Sequence, residues 1–308
     1  MTPLQRYIAE EIATDHLDGL LSRREALRRL GLLGIGAAAA TALIAACGEA
    51  KQSDTAATPT ATPNAAPGTA PAPAQPPGLQ GAVPTSPVSW AGPDGELQGA
   101  WAAAPEPKGA VLVIHENKGL TDHIRSVAGR FAGIGYSALA IDLLSAQGGT
   151  AAFADPANAT AALSKIEPPE FIANLRSGIE EVQRRVPGRK VAAVGFCMGG
   201  GLVWRLLAAG TPALAAAVPF YGPAPDDPDF GGSRDVAVLA FYGALDQRVN
   251  ATEPVVRAAL EKAAMVHELI TEPDANHAFF NDTGDRYDPV AAADAWRRIQ
   301  SWFATHLA

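Results

Sequence analysis

The chain has 308 residues, 48% of them hydrophobic and 18% charged, with a formal net charge of −8. That composition supports a sizeable core and excludes global disorder, and the acidic balance argues against a nucleic-acid binder. Two cysteines, Cys47 and Cys197, exclude a disulfide scaffold and a four-cysteine zinc site.

Residues 1–47 read as an export address. A charged stretch, Ser22-Arg23-Arg24-Glu25-Ala26-Leu27-Arg28-Arg29, precedes an uncharged Gly- and Ala-rich run from Leu30 to Gly48. Arg23-Arg24 with Leu27 resembles a twin-arginine signal. Ile44-Ala45-Ala46-Cys47 resembles a lipobox, whose cysteine is lipidated and becomes the mature N-terminus. The competing reading is an uncleaved membrane anchor, but Gly31, Gly34 and Gly36 make the run weakly hydrophobic. The expected location is therefore outside the cytoplasm, on the periplasmic or extracellular face, tethered by lipid on Cys47. Residues 1–46 hold five basic and five acidic side chains, so the net charge belongs to the mature chain.

Residues 48–87 shift to Ala, Thr and Pro, with nine prolines from Pro59 to Pro87, and read as an extended, disordered tether. The remainder, 88–308, suits one domain. Its apolar runs at Val111–Ile114, Ala138–Ile141, Val191–Gly195, Ala215–Tyr221, Val236–Tyr242 and His267–Thr271 predict strands. Helical spacing predicts helices over Arg125–Ile134, Phe171–Arg185, Gly200–Ala209, Pro254–Ala264 and Ala291–His306. This alternation predicts an α/β fold, a mostly parallel sheet with helices on both faces, whose ligands bind at the carboxyl ends of the strands. The Ala-rich stretch from Ser145 to Pro168 carries little pattern and reads as a long loop shaping the pocket. No phosphate-binding Gly-Lys loop and no histidine cluster with metal-ligand spacing is present, so neither cofactor nor metal is expected.

Three strand ends carry chemistry. Gly195-Phe196-Cys197-Met198-Gly199-Gly200 follows a strand and opens a helix, the nucleophile-elbow pattern with Cys in the Ser position. Asp246 lies just beyond the Val236–Tyr242 strand and His277 just past the last strand. Nucleophile, acid and base thus follow in the chain order of α/β hydrolases. His277 is expected to manage the Cys197 proton and Asp246 to fix the imidazole. The backbone N–H groups of Met198 and Asn117 are the expected oxyanion donors. In His115-Glu116-Asn117-Lys118, Glu116 reads as a proton partner for Cys197, or as a strand-end carboxylate paired with Lys118 or Arg125. His123 either lines the pocket mouth or caps a helix.

The stretches VLVIHENKGLTDHI, Ile141-Asp142, GFCMGG, FYGALD and NHAFF together resemble the dienelactone hydrolase family over roughly Gly95 to Ala308. The resemblance implies an α/β-hydrolase fold and a Cys-His-Asp triad that opens enol-lactones through an acyl-enzyme, as a carboxymethylenebutenolidase does. It also implies that Glu116 pairs with the resting Cys197 thiol. Members of that family clamp a substrate carboxylate with arginines after the catalytic histidine and after the strand matching Ala138–Ile141. Here Ala278–Asp282 and Leu143–Gln147 contain none. The acyl chemistry therefore carries over better than the substrate. The expected function is hydrolysis of a small carboxylic ester or lactone by a monomer or small oligomer. The alternatives are thioester hydrolysis on the same triad, or a silent binding or thiol-sensing protein on the hydrolase scaffold.

Overall fold

The computed structural model describes residues 1–54 and 75–307. The chain divides into two compact units, Met1–Ala74 with Asp155–Lys165, and Gln75–Ala154 with Ile166–Ala308. The Cys47 side chain, where lipid attachment is expected, and residues 55–74 of the expected tether lie outside the described residues.

Three helices open the first unit: α1 (Pro3–Leu17), α2 (Arg23–Leu32) and α3 (Ala37–Asp54). α1 begins on a capping box. Gln5 N–H donates to Thr2 Oγ1 at 3.1 Å while Thr2 N–H donates to Gln5 Oε1 at 2.9 Å. Ser22 caps α2, so the arginine pair Arg23-Arg24 forms its exposed first turn. Ile8, Ala13, Ala26 and Leu30 are buried. A further short helix of this unit, Pro156–Leu163, comes from the stretch read in sequence as loop, and Arg28 pairs with its capping residue Asp155 at 2.9 Å. Among the described residues no helix is long and apolar enough to cross a membrane.

The second unit is built on an eight-stranded sheet. A hairpin of β1 (Ser86–Gly92) and β2 (Gly95–Ala102) runs antiparallel and joins the sheet through β4. The parallel strands are β3 (Gly109–Ile114), β4 (Tyr136–Asp142), β5 (Val191–Phe196), β6 (Ala216–Phe220), β7 (Ala237–Gly243) and β8 (His267–Glu272). The order is β1-β2-β4-β3-β5-β6-β7-β8. Strands β3 to β7 are buried along their whole length, which is why they read as unbroken apolar runs. With the Pro156–Leu163 helix of the first unit numbered α5, the connecting helices of this unit are α4 (Asp122–Gly133), α6 (Pro168–Arg185), α7 (Met198–Ala208), the single turn α8 (Gln247–Asn250) and α9 (Glu253–Lys262). α10 (Pro289–His306) closes the chain. The strand order reverses at β3, so right-handed crossovers put α4 on one face and α6, α7 and α9 on the other. α10 joins the α4 face, where Trp296 and Phe303 pack on Phe131 with ring centroids 5.1 and 5.7 Å away. This is the α/β-hydrolase architecture, with its ligand crevice at the carboxyl ends of β3 and β5.

The sequence boundary at Val88 falls too late. The compact unit starts at Gln75 because the Pro-rich approach packs on α4 and α10. Val83 N–H donates to the Gly129 carbonyl at 2.9 Å. Gly78 lies so close to Trp296 that a Cβ there would sit 2.6 Å from the indole. Beyond β4, Asp142 organises the next turn, accepting from Leu144 N–H, Thr150 N–H and Thr150 Oγ1–H at 3.0, 2.7 and 2.8 Å. Beneath the crevice lies an aromatic ladder. Phe196, Phe220 and Phe241 are in register on β5, β6 and β7 and stack at 4.8 and 4.6 Å.

Candidate active site

Cys197 sits between β5 and α7 with φ 54° and ψ −116°, a strained conformation for a residue with a side chain. Only glycine fits on either side of it. A Cβ on Gly195 would lie 2.1 Å from the Gly199 carbonyl oxygen, and one on Gly199 2.4 Å from that of Ile114. The backbone can therefore fold back on itself and lift Cys197 off the sheet end, and Cys197 N–H donates to the Phe220 carbonyl at 3.1 Å. Cys197 is the N-cap of α7 and Met198 its first residue, so the helix dipole favours negative charge at the sulfur.

Asp246 and His277 meet beside the elbow. His277 Nδ1–H donates to Asp246 Oδ2 at 2.6 Å, which leaves Nε2 for the sulfur. Asp246 is itself fixed as the N-cap of α8, accepting from Val249 N–H at 3.2 Å. The two loops are tied together, since Leu245 N–H donates to the Ala275 carbonyl at 2.9 Å. Burial alone would lower the His277 pKa. The Asp246 carboxylate and the Cys197 sulfur override it, holding the imidazole well above its ordinary 6.5. Burial would raise Asp246, but the His277 charge and hydrogen bond hold it below the usual carboxylate value. An imidazolium against a cysteine at a helix N-terminus is the arrangement that yields thiolate.

Glu116 is buried at the end of β3, where Asn281 Nδ2–H donates to its Oε2 at 2.7 Å. Neither sequence-suggested cation takes that place: the partner is a neutral amide, and Arg125 instead faces Asp122. Its neighbour His115 is wholly buried. Leu143 N–H donates to His115 Nε2 at 3.1 Å, so Nδ1 carries the proton given to the Glu116 carbonyl at 2.6 Å. Burial pushes the His115 pKa down, in keeping with this neutral form. Asn117 follows in the same loop, buried beside Glu116.

His123, on the first turn of α4, does not cap the helix. Its Nδ1 meets Asp282 Oδ1 at 2.6 Å and its ring lies edge-on to Phe196 at 6.5 Å. Arg130 Nη2 donates to the other Asp282 oxygen at 2.7 Å. The loop after His277 is thus pinned twice, Asn281 to Glu116 and Asp282 to His123 and Arg130.

Sequence reasoning missed Tyr221, Asn281 and Asp282. Tyr221 stands at the carboxyl end of β6, with its ring 5.1 Å from the His277 imidazole and T-shaped to it. The signal available was its place at a strand end. Asn281 and Asp282 lie in the stretch noted for lacking arginine, but their partners are about half the chain away in sequence.

Residues 97–307 match the dienelactone hydrolase family. The chain belongs to that family, and it is a hydrolase. It is 32% identical to a candidate carboxymethylenebutenolidase of Escherichia coli over 225 residues, covering 68% of this chain and 83% of that protein. With one from Saccharolobus solfataricus it shares 31% over 244 residues, 68% of this chain and 94% of the other. A candidate dienelactone hydrolase from Klebsiella pneumoniae superposes with TM-score 0.63 at 29% identity, spanning 71% of this chain and 98% of that one. A dienelactone hydrolase-like promiscuous phosphotriesterase from metagenomic libraries also gives TM-score 0.63, at 26% identity over 73% of this chain and 99% of its own.

Proposed function

We propose that this family member hydrolyses small carboxylic esters or lactones through an acyl-enzyme on Cys197. The observation that carries the reading is the strained elbow cysteine beside a histidine held by Asp246 at 2.6 Å. Cys197 gives its proton to His277, the resulting thiolate attacks the carbonyl carbon and a sulfur–carbon bond forms. The carbonyl electrons move onto oxygen, where the Met198 and Asn117 backbone N–H groups receive the charge. Collapse expels the alkoxide or enolate, which takes a proton from His277. His277 then removes a proton from water, which attacks the thioester. The acid departs and the His277 proton returns to sulfur. Asp246 holds the imidazole in the required tautomer, and Glu116 acts as proton partner of the resting thiol.

The curated relatives carry the name carboxymethylenebutenolidase, which supports a lactone as one substrate class. Against a carboxylate-bearing lactone stands the neutral amide of Asn281 on Glu116, with no arginine in 278–282 or 143–147. Neutral esters and lactones fit these two stretches better. The twin arginines and the lipobox support export and lipid attachment at Cys47, which would keep the enzyme on the outer face of a membrane.

The test uses the full chain carrying Cys47→Ser, so that Cys197 is the one thiol. Hydrolysis of p-nitrophenyl acetate and of a dienelactone is followed with and without iodoacetamide. Alkylation, or Cys197→Ala with an unchanged circular dichroism spectrum, should abolish both turnovers. Undiminished hydrolysis in that variant refutes the reading.

A further inference from the structure

Two polar groups beside Cys197 lack the partners that buried polar groups almost always have. The first is the Tyr221 hydroxyl. Tyr221 is fully buried, with φ 35°, and its ring is boxed by His277 and Phe279 at 5.1 and 5.3 Å. The Phe280 backbone N–H approaches its oxygen, but among the described residues its hydroxyl proton has no acceptor. Burial holds that hydroxyl well above its ordinary pKa of 10, and the charges of Glu116 and the Cys197 sulfur push the same way. It is therefore a permanent O–H donor within electrostatic reach of the carboxylate and the nucleophile. The second is Glu116 Oε1, buried and without a donor, while Oε2 is occupied by Asn281.

A donor without an acceptor and an acceptor without a donor thus border one nucleophile. The surroundings are aromatic, with Phe196, Phe220 and Phe279 lying 6.3, 5.8 and 5.3 Å from the Tyr221 ring. A substrate hydroxyl satisfies both groups, since it accepts and donates at one oxygen. Tyr221 feels both Glu116 and the sulfur, and the acyl carbon is the substrate atom that bonds to that sulfur, so a hydroxyl that meets both groups is assigned to the acyl part, next to the carbonyl. We propose that the Cys197 site selects 2-hydroxyacyl esters and lactones, with Tyr221 donating to the substrate hydroxyl and Glu116 Oε1 accepting from it. This rests on the acyl-transfer reading above. Tyr221 keeps its proton throughout and acts in recognition, while bond making and breaking stay with Cys197 and His277.

A methyl group in place of the hydroxyl strands both protein groups, and sites built to pair a substrate hydroxyl reject such analogues strongly. The experiment compares α-hydroxy-γ-butyrolactone with α-methyl-γ-butyrolactone on the full chain by pH-stat, each rate divided by its hydroxide-catalysed rate. Wild type should favour the hydroxy lactone in kcat/KM by about tenfold or more. Tyr221→Phe should bring the ratio close to one, with the change mainly in KM for the hydroxy lactone. Its thermal midpoint should stay or rise, because the variant removes an unsatisfied buried hydroxyl. A wild-type ratio near one overturns the proposal, as does an unchanged ratio in Tyr221→Phe. So does turnover of neither lactone by protein that releases p-nitrophenol from p-nitrophenyl acetate in a Cys197-dependent manner. Insensitivity of all ester turnover to Cys197 alkylation removes the acyl-transfer reading itself, and this proposal with it.

Discussion

Replacing Asp282 with Asn removes the counter-charge from a buried arginine while keeping the side chain's shape. Arg130 Nη2 and His123 Nδ1 meet the two Asp282 oxygens at 2.7 and 2.6 Å, and both partner side chains are 1% exposed. Burial would raise the Asp282 carboxyl, but the His123 hydrogen bond and the Arg130 charge move it from 3.8 to about 2. That displacement is worth roughly 2 kcal/mol. Removing one member of a buried ion pair costs roughly 3–5 kcal/mol, because the other charge is left alone. Asp282 keeps a tenth of its surface in solvent, which screens the pair, so the expected loss at neutral pH is about 3 kcal/mol. The folded pKa lies below the unfolded one. The stabilisation is therefore complete above the ordinary 3.8 and is lost as pH falls through about 2. Urea unfolding followed by tryptophan fluorescence measures it cleanly: Trp90, Trp101, Trp204, Trp296 and Trp302 all lie in the unit that holds Asp282. The difference between wild type and Asp282→Asn should shrink from about pH 5 downward. Adding Arg130→Met should recover part of the loss, since no buried charge then stands alone. A variant within about 0.5 kcal/mol of wild type at neutral pH, or a difference that ignores pH, refutes the reasoning.

Glu272 works in the opposite direction. Burial, then the Asp294 charge, raise it from 4.5 to about 7, so its share of stability is present below 4.5 and lost as pH rises through about 7. With solvent screening discounted, Glu272→Gln should gain about 1–2 kcal/mol in urea unfolding at about pH 8 and nothing at about pH 4. Gly199→Ala would put a methyl 2.4 and 2.6 Å from two backbone carbonyl oxygens. It should cost at least about 2 kcal/mol in thermal melting and abolish ester turnover by opening the elbow. Asp246→Asn removes the charge that raises His277, so the imidazolium that favours the Cys197 thiolate weakens. Alkylation of Cys197 by iodoacetamide at about pH 6, read by mass spectrometry, should slow about tenfold or more. An unchanged rate would mean that the helix dipole alone supplies the thiolate.

The central strands were legible because burial on both faces leaves unbroken apolar runs such as Val111–Ile114 and Val191–Gly195. Cys197, Asp246 and His277 stood out as candidates because each follows such a run, and the structure brings Asp246 and His277 into contact. The β1–β2 hairpin was not, although Gly92-Pro93-Asp94-Gly95 is a turn sequence. Its first strand is half-exposed and lies against a segment whose prolines read as tether. The Pro156–Leu163 helix was hidden for a related reason: Ala-rich segments have helix propensity but no amphipathic stripe to announce it. The role of Asn281 could not be read at all, because a neutral amide acquires meaning only from the carboxylate folded against it, 165 residues earlier.

That amide also determines the charge of the site. Two adjacent residues after His277 send their side chains to opposite ends of the charge problem: Asp282 to the buried cation Arg130, Asn281 to the buried carboxylate Glu116. The cation thus neutralises the aspartate beneath the crevice, while Glu116 receives the neutral amide of Asn281. A carboxylate near Cys197 opposes a second anion, whether a substrate carboxylate or a deprotonated Tyr221, and the Tyr221 hydroxyl is driven up first by burial and in part by that charge. The same carboxylate welcomes an O–H donor. In the proposed reaction, charge placement in the loop after His277 therefore favours neutral, hydroxyl-bearing lactones over anionic ones, and it does so apart from the elbow and the Asp246–His277 pair to which the chemistry is assigned.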